Sequence, residues 1–144
     1  MIIMSKAKLT LLNSVLFLLP FWIHAQDNLP VASDTLVWHA TTLTDNATGH
    51  QDSNTSEFVT FGSSKIRWKQ SGNGQPIFEF SITAVEDHWL SGRYIIFSTT
   101  RKSKTQTFRF EQTGSSTKVI FTFNQLDQNR TLVFDIDLIS TFQD

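Results

Sequence analysis

The chain has 144 residues, with twelve Lys and Arg against thirteen Asp and Glu, a net charge of −1, no cysteine, thirteen Phe and four Trp. That balance excludes the basic domain that nucleic-acid binding requires, and the lack of cysteine excludes a disulfide framework. Stability must come from packing, in a core that the composition makes aromatic.

Lys6 and Lys8 precede an apolar run from Leu9 to Ile23, broken by Asn13, Ser14 and Pro20, and small Ala25 follows. A basic start, a modest apolar run and a small residue before a polar stretch are the build of a secretory signal peptide. The run is short for a bilayer span, which needs about 20 residues. Residues 1–25 are therefore read as a signal peptide cleaved after Ala25, with no membrane span in the mature chain. No Cys follows the run to carry a lipid. The expected localisation is secreted or periplasmic. A secreted chain free of disulfides suits a bacterial periplasmic or extracellular protein. Without Lys6 and Lys8 the mature chain has ten bases and thirteen acids, a net charge of −3. The expected organisation is a lead-in segment over 26–34 and one domain over 35–144.

The domain reads as strands in series. Thr35 to Leu43 sets Leu36, Trp38 and Ala40 against Val37, His39 and Thr41, two faces with the period of a strand. Thr44 to Ser56 is rich in turn formers and reads as a loop. Glu57 to Phe61 is a short strand ended by Gly62-Ser63-Ser64. Lys65 to Gln70 alternates Ile66 and Trp68 with Lys65, Arg67 and Lys69. Ser71 to Pro76 turns the chain, and Ile77 to Ala84 sets Phe78, Phe80, Ile82 and Ala84 against Glu79, Ser81 and Thr83. Glu86-Asp87 reads as a turn, and Trp89 to Thr100 as a strand with a bend or bulge at Gly92. Arg101 to Lys104 is a basic turn. Thr105 to Gln112 places Phe108 and Phe110 on one face, and Thr117 to Asn124 does so with Val119, Phe121 and Phe123. Thr131 to Ile139 sets Leu132, Phe134, Ile136 and Leu138 against Asp135 and Asp137.

No helical periodicity follows the signal peptide. The fold class is all-β, an antiparallel up-and-down meander of about eight strands. A closed barrel, which removes exposed edges, is expected over a two-sheet sandwich. With Trp38 on its first strand, the mature chain resembles in architecture the lipocalin and fatty-acid-binding group of small β-barrels. Lipocalins tend to carry Gly-x-Trp there, whereas this chain has Leu36 in the Gly position of Thr35-Leu36-Val37-Trp38. The resemblance implies a ligand held inside the barrel.

Candidate chemistry is sparse. His39, His50 and His88 are scattered, and His50-Gln51-Asp52 supplies too few ligands for a metal site. Asp135 and Asp137 share a strand face opposite the core residues, so both face water. Asn46, Asn54 and Asn129 fit the N-glycosylation pattern at a frequency that a Ser- and Thr-rich chain supplies by chance. No nucleophile–base spacing appears, and neither enzyme activity, cofactor nor metal is expected. The informative set is aromatic: Trp38, Trp68, Phe78, Phe80, Phe108, Phe110, Phe121, Phe123 and Phe134. These residues are either a packed core or the walls of a calyx for a small apolar ligand, with Thr44 to Ser56 as its lid. The expected function is a secreted non-enzymatic binding protein. The alternative is an extracellular module whose outer face, or whose Arg101 to Lys104 turn, meets a protein or glycan partner.

Overall fold

The computed structural model describes residues 29–53, 55–70 and 74–142. The expected signal peptide and cleavage point lie outside the described residues, as do positions 71–73 of the expected turn. Nine strands follow one another: β1 (Thr35–Asp45), β2 (Gln51–Asp52), β3 (Ser56–Phe61), β4 (Lys65–Gln70), β5 (Ile77–His88), β6 (Tyr94–Arg101), β7 (Lys104–Thr113), β8 (Ser116–Gln125) and β9 (Gln128–Thr141). A one-turn helix, α1 (Trp89–Gly92), joins β5 to β6. Every neighbouring pair is antiparallel, and β9 returns to pair with β1. The result is a closed eight-stranded meander barrel with β2 as an extra short strand beside the far end of β1.

Alternation in the sequence becomes inside and outside. Leu36, Trp38, Phe58, Ile66, Phe80, Ile95, Phe97, Phe108, Phe110, Val119, Phe121 and Phe134 are buried. Phe58 lies at the centre, its ring centroid 5.6 Å from Trp68, 6.2 Å from Phe108 and 4.8 Å from Phe134. The last two contacts are edge-to-face, an arrangement the ring quadrupoles favour. Two buried hydroxyls satisfy indole N–H groups that would otherwise be stranded. Trp38 Nε1 donates to Thr60 Oγ1 at 3.1 Å, and Trp68 Nε1 donates to Ser56 Oγ at 3.2 Å. On the outer face, charges complement each other across strands: Arg67 Nη2 lies 3.0 Å from Glu79 Oε1, with Lys65 at 3.5 Å.

Four expectations are corrected. The inward series of β5 does not continue to Ala84, because Thr83 is an extra residue in the pairing with β6. The bulge reverses the pleat, leaving Ala84 exposed and setting Val85 opposite buried Phe97. The inward series of β9 likewise stops at Ile136. Asp137 has no partner on β1, so Leu138 turns out to solvent, 55 % exposed, and Ile139 lies opposite Trp38. Glu86-Asp87 is not a turn but part of β5, and the reversal is made by α1. Asp87 Oδ1 accepts from Trp89 N at 3.0 Å, and Arg93 ends the helix in the left-handed conformation. Finally, Thr44 to Ser56 is a paired hairpin rather than a plain loop. Asp45 N donates to His50 O, Asp45 O accepts from Gly49 N, and β2 pairs back on Leu43 and Thr44.

Candidate functional site

The meander sorts its connections between two ends of the barrel. At one end lie the β3–β4 and β7–β8 turns and α1. Trp89 is buried there and meets the Trp38 ring edge-on at 6.2 Å. Trp38 in turn stacks at a tilt against Phe110, 4.7 Å away. These rings plug that end.

The other end carries the β4–β5, β6–β7 and β8–β9 connections and the β1–β2 hairpin, and it holds a cavity of about 500 Å³ open to solvent. Trp68, Phe78, Phe80, Phe121, Phe123 and Leu132 form its apolar wall. Phe121 is the floor, stacked on its cross-strand partner Phe108 at 4.6 Å and on Phe123 at 5.1 Å toward the mouth. Polar groups are confined to the rim: Arg101, Lys104, Gln106, Asn124 and Gln125.

The nine aromatic candidates therefore divide. Trp68, Phe78, Phe80, Phe121 and Phe123 line the cavity, whereas Trp38, Phe108, Phe110 and Phe134 are wholly buried beneath it. The core and calyx readings each describe a different half of the same barrel. No residue between Thr44 and Ser56 belongs to the wall among the described residues. The lid expected there is instead a hairpin beside the mouth, tied to β9 by a hydrogen bond from Asn46 N to Thr131 O at 3.1 Å.

Arg101 and Lys104 were expected only as an outward basic turn, and Gln106, Asn124 and Gln125 were not singled out, although a signal placing them at the cavity existed. Arg101 continues the inward series Ile95, Phe97, Thr99, and Lys104 and Gln106 continue that of Phe108 and Phe110. The Arg101 guanidinium lies 4.8 Å from the Phe78 ring centroid and 5.9 Å from that of Phe80, a cation–π placement over the apolar wall. Another cation near this end, Arg130, is occupied: it pairs with Asp45 and donates to Gln125 Oε1 at 2.9 Å. Two strained turns frame the mouth. Lys102 and Ser103, and Leu126 and Asp127, all have positive φ, the geometry of tight hairpin turns that glycine and asparagine adopt more readily.

The remaining polar residues lie outside the cavity. Asp135 accepts from Thr42 Oγ1 at 2.7 Å on the outer face, with Lys118 4.0 Å away. His39 faces Glu57 at 3.7 Å, also outside. Among the described residues no three His, Asp or Glu side chains gather as metal ligands, and no helix is long and apolar enough to cross a membrane. No protein-family model, no curated protein and no solved structure matches the chain.

Proposed function

We propose that the protein is a secreted or periplasmic, non-enzymatic binding protein that holds one small apolar ligand in the open half of a lipocalin-like barrel. The observation that carries this reading is the aromatic-walled cavity of about 500 Å³ at one end, above a solid core and opposite a plugged end. Its size lies within the range of small-molecule sites, and its plan matches theirs: apolar walls with few polar groups at defined places. The apolar leader with its preceding lysines, and the lack of cysteine, support export.

The interaction-module alternative draws less support. Ile77, Leu90, Leu126, Leu138 and Phe142 are the exposed large apolar residues among those described, and they are spread over both ends and different strands instead of forming a strip.

The test is a titration with the neutral dye N-phenyl-1-naphthylamine. Saturable binding should quench Trp68 emission and slow amide exchange in β4, β5 and β8. A Trp68→Phe variant should bind with the quench removed. Absence of any saturable response would refute the reading.

A further inference from the structure

We infer that the cavity selects an amphiphile bearing a carboxylate, with the apolar body against Trp68, Phe80 and Phe121 and the carboxylate at the mouth on Arg101. The inference rests on the binding reading above and adds the chemistry of the ligand.

Three observations carry it. First, Arg101 is half-buried on the inner face of β6, and among the described residues no carboxylate lies within ion-pair reach of it or of its cross-strand partner Lys104. Arg130, near the same end, shows the contrast, because Asp45 neutralises it. A pair of cations at the edge of a low-dielectric cavity focuses potential that an anion relieves. Second, the position of Arg101 is held by Phe78 and Phe80, whose rings lie under its guanidinium. A planar fork stacked in this way keeps its N–H edge free for bidentate pairing with a planar carboxylate, and stacking leaves less side-chain freedom to be lost on binding. Third, Gln106 lines the same wall, and its buried side-chain carbonyl has no hydrogen-bond partner among the described residues. Buried amides are ordinarily paired. A rotation of the side chain brings this unpaired amide, with its N–H donors, toward a carboxylate held beside Lys104.

These placements also fix polarity. All the cations of the lining are at the rim, and the floor is aromatic. A carboxylate driven to the floor would lose its water with nothing to pair it, so the ligand enters apolar end first.

The experiment compares decanoate with decan-1-ol at pH 7.5, measured by displacement of N-phenyl-1-naphthylamine from the full mature chain. Decanoate should bind about tenfold more tightly, the worth of one charge-assisted hydrogen-bonding group. Added salt should weaken decanoate alone. Arg101→Gln should abolish the difference, Arg101→Lys should retain part of it, and Lys102→Gln, outside the lining, should leave both affinities intact. Equal affinities in the wild type, or a preference that survives Arg101→Gln, would overturn the carboxylate inference and leave the binding reading standing. Failure of both compounds and of the dye to bind would overturn both.

Discussion

Replacing Phe58 with Ala tests whether the lower barrel is solid beneath the cavity. Phe58 is wholly buried and contacts Trp68, Phe108 and Phe134 at 4.8–6.2 Å. Removing a buried ring loses about 1.5–3 kcal/mol of transfer free energy. The neighbouring rings come from three different strands of a closed sheet and cannot collapse into the space, so a cavity term brings the total to about 3–5 kcal/mol. Phe123→Ala is the comparison. Phe123 is only partly buried and its ring borders the open mouth, stacked on Phe121 on one side. Its truncation widens a cavity already in contact with solvent, leaves no sealed void, and should cost less than about 2 kcal/mol. Urea melts of both variants give the two values, with an unchanged slope showing that the same surface is exposed on unfolding. At roughly 4 °C per kcal/mol for a domain of this size, Phe58→Ala should lower the melting temperature by about 12–20 °C. Equal costs for the two variants would refute the division into solid core and open calyx. They would mean that the void runs through the barrel, or that the rings of β3 do not occupy its axis.

Thr60→Val keeps the shape of a buried side chain but strands the Trp38 indole N–H, and should cost about 1–3 kcal/mol by denaturant melt, with Thr60→Ser close to wild type. Glu79 is held below the usual carboxylate range by its hydrogen bond from Arg67, with Lys65 adding to the effect. Its stabilisation is therefore present above the ordinary carboxylate pKa and is lost as pH falls through the lowered value, so Glu79→Gln should be less stable than wild type at pH 7 and converge with it in acid. The β6–β7 turn places Lys102 and Ser103 at φ of 51° and 61°. Lys102→Asn combined with Ser103→Gly should raise stability by about 1 kcal/mol without altering dye affinity, since neither residue lines the cavity.

The all-β meander was legible because each strand carries two chemically different faces, and the period of side-chain direction in a strand leaves little freedom in assigning them. Phe108 and Phe110, or Val119 and Phe121, announce one buried face wherever the partner strands lie. Bulges are different. The extra residue at Thr83 or Asp137 is defined by what the neighbouring strand does, so nothing local to β5 or β9 marks the point where Ala84 and Leu138 leave the core. The hairpin over Thr44 to Ser56 was hidden for a related reason: its two-residue β2 is too short for alternation to show and exists through pairing with Leu43 and Thr44.

The site was half legible for a reason of the same kind. An aromatic stripe can be read from one strand at a time, but whether it fills a barrel or walls a cavity depends on where the filling stops along the axis. On β6 the inward series runs Ile95, Phe97, Thr99, Arg101; on β7, from the same end, it runs Phe110, Phe108, Gln106, Lys104. Register sets Thr99 beside Gln106 and Arg101 beside Lys104. The change from apolar to polar thus falls at the same height on adjacent strands, which turns two unremarkable strand ends into one rim. Taken singly, a polar residue at the end of a strand announces a turn, and Arg101 to Lys104 read as one. Aligned across the ladder, these residues mark the level at which the core ends and the mouth begins. That level coincides with the cavity, because below it every inward position of β6 and β7 is a large apolar side chain that leaves no space, and above it none is.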